Sequence, residues 1–105
     1  MERVVEEVRV LADNMVAHSR ECHSSIVFEL AKLKKRFKIT NEAGNCYSRT
    51  KVFVMLPDLS WAPVATDFDL DGDCRIDYLW DETRKRNQMI ANNELALRYI
   101  KAVYY

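Results

Sequence analysis

Acidic side chains are concentrated in one short segment of the sequence, residues 66–82, which reads TDFDLDGDCRIDYLWDE. Alternating carboxylates around a glycine turn can coordinate a hard cation, perform acid–base chemistry, or form a negatively charged contact surface. Acid–base catalysis needs an apolar wall that raises the pKa of a carboxyl group, and an exposed turn provides none. The contact surface and the cation site therefore remain as alternatives.

The contact-surface alternative follows from the amount of charge. From residue 58 to residue 82 the sequence has eight acidic residues and a single basic one, Arg75. Like charges so close together repel each other and destabilise the fold unless a cation or a basic partner offsets them. We therefore predict a small regulatory protein that binds a protein partner through an acidic β-hairpin, residues 66–82. Its predicted contact residues are Asp67, Asp69, Asp71, Asp73 and Asp77.

The cation alternative rests on spacing. Four aspartates occupy relative positions 1, 3, 5 and 9 of the loop 69–77, namely Asp69, Asp71, Asp73 and Asp77. The stretch DLDGDCRIDYL resembles the calcium loop of integrin-type (FG-GAP) propeller repeats, which implies a calcium site on these four side chains. It resembles an EF-hand less closely, because Cys74 stands where that loop has glycine and Trp80 where it has the closing glutamate. A calcium-binding module is thus a second alternative function, and no other cofactor is expected.

The stretch FDLDGD also looks like the first motif of haloacid-dehalogenase-type phosphatases. However, Asp73 replaces the threonine of that motif, and the 33 residues after Gly72 are too few for the rest of such a catalytic domain. Two glycines cannot build a phosphate-binding loop, and no Ser–His–Asp or Cys–His arrangement is legible. We therefore predict a protein that is not an enzyme.

Basic residues are concentrated in a different part of the sequence. Between residues 32 and 51, seven basic side chains accompany a single acid, Glu42. A surface of this kind is typical of proteins that contact the phosphate backbone, so nucleic-acid binding is the first alternative function. The residues concerned are Lys32, Lys34, Lys35, Arg36, Lys38, Arg49 and Lys51.

The N-terminal part, residues 1–43, contains neither glycine nor proline. Its apolar residues recur at steps of three and four, from Val4 to Met15 and from Cys22 to Phe37, which indicates a helical face. The pattern predicts one long helix, or a helical hairpin broken near Ser24 and Ser25. A single helix would extend roughly 55 Å, too far for so small a chain to cover, so we expect a homo-oligomer, a dimer.

Three strands and a helix are predicted after Gly44. CYSRTKVFVML and SWAPVATDF are rich in β-branched and aromatic residues, Pro63 suggests a sheet edge, and CRIDYLW alternates apolar with polar residues. Asp81 is suited to cap a long C-terminal helix. The predicted fold is α+β in a single domain, residues 1–105. It consists of the N-terminal long helix or helical hairpin, a three-stranded antiparallel meander, and a long C-terminal helix packed on the sheet.

Length and composition predict the compartment. The chain has 105 residues and a formal net charge of zero, and no apolar run approaches the roughly 20 residues that span a bilayer. Three cysteines at no framework spacing indicate reduced thiols. We expect a cytoplasmic protein without membrane contact.

Overall fold

The computed structural model describes residues 8–18, 21–65 and 72–105. In these parts the chain forms a five-stranded antiparallel sheet followed by one helix, an α+β arrangement. The sheet is a meander in which each strand pairs with the next one along the chain. The elements are β1 (Val8–Ala17), β2 (Cys22–Leu30), β3 (Lys35–Ala43), β4 (Ser48–Met55), β5 (Trp61–Ala65) and α1 (Glu82–Tyr104).

Strand alternation gives the sheet two different faces. In β3, Phe37, Ile39 and Asn41 are buried on the side of α1, whereas the residues between them point the other way. Ile39 pairs with Val52 and Asn41 with Thr50, so the buried residues of neighbouring strands share one face. The opposite side of the sheet, away from α1, is called the open face.

The C-terminal helix confirms its prediction. The Asp81 carboxylate accepts a hydrogen bond of 2.8 Å from the backbone N–H of Arg84, as an N-cap should. Buried residues then recur along α1 at steps of three and four and pack on β1, β2 and β3, and they are Lys85, Met89, Asn92, Ala96 and Ile100. No helix in the described part of the chain is long and apolar enough to cross a membrane.

The predicted N-terminal long helix or helical hairpin is wrong, because the described residues of that part form β1, β2 and β3. A step of four residues returns to the same side in a helix and in a strand, so Cys22, Ile26 and Leu30 fit both periods. The two-residue period was hidden by Ser24, which is polar yet buried and accepts a hydrogen bond of 2.9 Å from Asn41. The reason for expecting a dimer through that helix is lost with it.

The turn between β2 and β3 contains neither glycine nor proline, which also concealed the hairpin. Lys34 adopts φ +54°, in the left-handed region that usually holds glycine. Its backbone N–H donates to the carbonyl oxygen of Leu30 at 2.9 Å. A highly charged stretch, LAKLKK, therefore reverses the chain where its composition favours a helix.

The predicted third strand and the acidic β-hairpin are also wrong, because CRIDYLW forms no strand. Cys74 and Ile76 are buried, so the alternation in this stretch comes from the packing of a loop. The backbone N–H of Ile76 donates to the Ser48 hydroxyl at 2.8 Å, which fixes the loop beside the start of β4. Gly72, with φ +76°, lies in the turn as expected, while residues 66–71 are outside the described part.

The other two predicted strands are confirmed. CYSRTKVFVML contains β4, and SWAPVATDF contains β5, which is an edge strand as Pro63 predicts. The sheet therefore has five strands rather than three, because the N-terminal part adds three more and CRIDYLW adds none.

Candidate nucleic-acid interface

The open face brings together basic side chains from two strands. Strand alternation turns Arg36 and Lys38 of β3 away from the buried Phe37, and it turns Arg49 and Lys51 of β4 away from the buried Thr50. Because β3 and β4 are neighbours in the sheet, four of the seven basic residues expected to contact nucleic acid share one surface.

Lys38 lies between two aromatic rings on this face. Its Nζ is 4.9 Å from the ring centroid of Phe53 and 5.0 Å from that of Trp61. Phe53 is the cross-strand partner of Lys38, and β5 brings Trp61 beside β4, where it pairs with Met55. All three side chains are half-buried, so part of each remains accessible to solvent.

A row of aromatic and basic residues runs along β4 from this cluster to the turn between β3 and β4. We call it the β4 row, and its members are Tyr47, Arg49, Lys51 and Phe53. The Arg49 guanidinium stacks on the Tyr47 ring, 5.1 Å from its centroid. Tyr47 in turn lies against Gly44, where an added Cβ would come 2.7 Å from the ring, so the absence of a side chain there makes room for it. The six residue steps from Tyr47 to Phe53 correspond to roughly 20 Å of extended chain.

The remaining predicted basic residues are elsewhere. Lys32 and Lys35 contact the end of α1, with Nζ 5.5 Å from the ring of Tyr105 and 5.9 Å from that of Tyr104, respectively. Lys34 occupies the tight turn between β2 and β3. These three residues lie at one end of the sheet and do not extend the β4 row.

Within the described residues, no ion pair neutralises the four cations of the open face. Glu29 forms its 2.7 Å salt bridge with Arg9, on β1. Glu42 stands opposite Arg49 in the register of β3 and β4 but is not within salt-bridge distance of it. The described carboxylates therefore leave these four cations unpaired.

The predicted acidic contact residues are only partly described. Asp67, Asp69 and Asp71 lie outside the described residues. Asp73 and Asp77 are exposed, and the Asp77 carboxylate accepts a hydrogen bond of 2.9 Å from the backbone N–H of Leu79. Among the residues that the structure describes, no three metal-ligating side chains come together. Partner contact and calcium binding by this segment thus remain predictions.

A groove of about 920 Å³ lies between the turn at residues 44–50 and the loop at residues 72–80. Its lining includes two arginines, Arg49 and Arg75, and three aromatic residues, Tyr47, Tyr78 and Trp80. It adjoins the end of the β4 row, because Tyr47 and Arg49 belong to both.

The groove is bounded by a hydrogen-bonded network buried between the sheet and α1. Asn92 donates to the Cys74 carbonyl at 2.7 Å, to Asn41 at 3.1 Å and to the Thr50 hydroxyl at 3.2 Å. Thr50 donates to Asn41 at 2.7 Å. Because Thr50 and Cys74 also line the groove, the network holds its two walls at a fixed separation.

A buried thiol and a buried ammonium group lie on the other side of the core. Lys85 donates from Nζ to the carbonyl oxygen of His18 at 2.8 Å, and the Cys22 thiol is 3.9 Å from the sulfur of Met89. Burial raises the pKa of Cys22, and the charge of Lys85 partly opposes that rise. A thiol held protonated by burial is a poor nucleophile.

The aromatic members of the open face were not among the predicted site residues. The signal was present in YSRTKVF, where Tyr47, Arg49, Lys51 and Phe53 alternate with residues that face α1. Trp61 could not be added from the sequence, because its position beside Phe53 depends on the pairing of β4 with β5.

Comparison with known proteins gives no relative on which a function could rest. No protein-family model matches the chain, and neither the curated proteins nor the solved structures include a match.

Proposed function

We propose that this chain is a small, non-enzymatic, cytoplasmic protein that binds single-stranded nucleic acid on its open face. The observation that carries the proposal is the placement of Lys38 between Phe53 and Trp61, in line with the cations of the β4 row. Proteins that bind single strands combine aromatic rings, on which bases stack, with a positively charged track for the phosphates.

The energies favour a base over Lys38 as the partner of the rings. A cation–π contact at an exposed site is worth about 0.5–1 kcal/mol, whereas stacking of a base on an aromatic side chain is worth about 1–3 kcal/mol. A base can therefore displace the ammonium group from Phe53 or Trp61. The displaced Lys38 ammonium group would then be free to pair with a phosphate.

The surface favours a single strand over a duplex. Rings on a sheet stack with bases whose faces are free, and in a duplex those faces are already covered by neighbouring base pairs. With a formal net charge of zero, the molecule attracts polyanions only locally, so binding should weaken with added salt.

Trp61 provides a direct test. In a Trp80→Phe variant its emission is the only tryptophan signal, since the sequence has two tryptophans. Oligonucleotides of about eight nucleotides, one of thymidine and one of uridine, would be titrated at about 50 mM salt. We expect both to quench Trp61, with the relative affinities distinguishing DNA from RNA, and a duplex of the same length to quench it weakly.

Matched variants separate stacking from charge. Phe53→Leu keeps an apolar side chain but removes the ring, and should weaken binding about 5- to 150-fold, as expected for the loss of about 1–3 kcal/mol of stacking. Lys51→Ala should reduce the salt dependence by about 0.7 in log–log slope, which corresponds to one phosphate contact on a single strand. Arg98→Ala removes a charge from the exposed side of α1 and should change neither quantity.

The proposal fails if the oligonucleotides leave Trp61 unquenched at low salt. It also fails if Phe53→Leu binds as tightly as the parent and heparin competes equally well, because the open face would then be only a non-specific polyanion site.

A second candidate is capture of a basic protein surface by the acidic segment, and it is favoured by the exposure of Asp73 and Asp77. The partner with a known basic surface is another copy of this chain, which presents its open face. If this candidate holds, sedimentation at low salt shows self-association that a variant carrying Asp73→Asn and Asp77→Asn loses. A monomer at all salt concentrations would contradict self-association.

A further inference from the structure

The groove between residues 44–50 and 72–80 continues the open face. Tyr47 and Arg49 are the last two members of the β4 row, and both also line the groove. A strand that follows the row away from Phe53 therefore reaches two side chains that belong to the lining of the groove.

The lining of the groove repeats the chemistry of the row. Arg75 adds a second cation beside Arg49, and Tyr78 and Trp80 add two aromatic rings. The Arg84 guanidinium lies 4.5 Å from the centroid of the Trp80 ring, but Arg84 does not line the groove. The Trp80 ring thus contacts the Arg84 guanidinium and also lines the groove.

The dimensions suit a nucleotide. The volume of about 920 Å³ lies at the upper end of the roughly 300–1,000 Å³ typical of pockets for small molecules. The lining also contains the carboxylate of Asp77, which would repel a phosphate. Phosphates should therefore lie near Arg49 and Arg75, with the base at the aromatic side chains.

We propose that the groove receives the end of the bound strand, with an unpaired base stacked on Trp80 and its phosphate between Arg49 and Arg75. The inference rests on the proposed function, since it assigns a second contact region to the same ligand. It predicts that one strand contacts Trp61 on the open face and Trp80 in the groove at the same time.

The two tryptophans allow the two regions to be followed separately. Trp80→Phe leaves Trp61 as the reporter of the open face, and Trp61→Phe leaves Trp80 as the reporter of the groove, with a ring retained in each case. The β4 row is roughly 20 Å long, and twelve nucleotides span roughly 40 Å even at the 3.4 Å rise of a stacked strand, so a thymidine oligonucleotide of about twelve would cover both. We expect both reporters to be quenched with the same midpoint.

Variants of the groove test its contribution. Trp80→Leu should weaken binding of this oligonucleotide about 5- to 150-fold, and Arg75→Ala should lower the salt dependence by about 0.7 in log–log slope. Arg98→Ala, on the exposed side of α1, again provides the control. Urea denaturation of each variant verifies that the fold is retained.

The possible failures are distinguishable. If Trp61 is quenched but Trp80 is not, or if the two midpoints differ, the groove is not part of the same site and the inference is overturned while the proposed function stands. If neither tryptophan is quenched, both are overturned. Quenching of Trp80 alone would overturn the open-face proposal together with the inference of one continuous site.

Discussion

The buried network between the sheet and α1 makes one substitution especially informative, Asn92→Ala. The Asn92 side chain is fully buried and donates to three acceptors, one each on Cys74, Asn41 and Thr50. Two of these acceptors keep another partner, because Thr50 continues to donate to Asn41. Among the described residues, the carbonyl oxygen of Cys74 has no other hydrogen-bond donor, so it becomes unsatisfied.

The expected destabilisation is the sum of unequal losses. An unsatisfied buried carbonyl costs about 1–3 kcal/mol, and each of the two longer bonds, at 3.1 and 3.2 Å, contributes about 0.5–1 kcal/mol net. Asn92→Ala should therefore lower the free energy of unfolding by about 2–5 kcal/mol, and it also removes the 2.8 Å bond that the Asn92 side-chain oxygen accepts from Gln88. For a small domain this is a large fraction of the total stability.

The neighbouring residue supplies a matched control. Asn93 accepts one hydrogen bond of 2.8 Å from Asn41, and the Asn41 amide also donates to Ser24 at 2.9 Å. Asn93→Ala removes the same chemical group from the same helix, and the Asn41 amide nitrogen keeps its bond to Ser24. It should cost at most about 1 kcal/mol.

Urea denaturation followed by tryptophan fluorescence measures both variants, provided that the m-value is unchanged. Equal losses for Asn92→Ala and Asn93→Ala would refute the reasoning, because burial and satisfaction of the network would then not set the cost. A loss below about 1 kcal/mol for Asn92→Ala would show that water reaches the Cys74 carbonyl.

Three further predictions concern single residues. Cys46 is exposed and should react rapidly with a thiol reagent, whereas the buried Cys22 should react only on unfolding. Because burial raises the pKa of Cys22, the protonated thiol contributes its full stability below the ordinary thiol pKa, and this contribution is lost as the pH rises toward the raised pKa. Cys22→Ala should remove this alkaline decline in the free energy of unfolding. Asp81→Ala should cost about 1 kcal/mol in urea denaturation through loss of the helix cap, and no change would mean that another group caps α1. Leu59 adopts φ +69°, in the left-handed region, and is 73% exposed. Leu59→Asn should therefore raise the midpoint of thermal unfolding, because asparagine relieves up to about 1 kcal/mol of backbone strain at this φ. A lower midpoint would show that the leucine side chain contributes packing.

The helical period of the N-terminal part illustrates what a local pattern cannot decide. Apolar residues four positions apart share a side in both a helix and a strand, so Cys22, Ile26 and Leu30 predict either. The structure decides for a strand because Asn41 lies opposite Ser24 on the neighbouring strand and hydrogen-bonds its hydroxyl. That partner is distant in sequence, and a period measured within one segment does not contain it.

The sequence by itself determined the elements whose signals are local and the residues that carry charge. The cap at Asp81 and the β-rich segments of β4 and β5 depend on neighbouring residues, and each is confirmed. Only the tertiary structure decided which charged residues lie together. The pairing of β3, β4 and β5 places Lys38 between Phe53 and Trp61, because cross-strand neighbours are set by register rather than by distance along the chain.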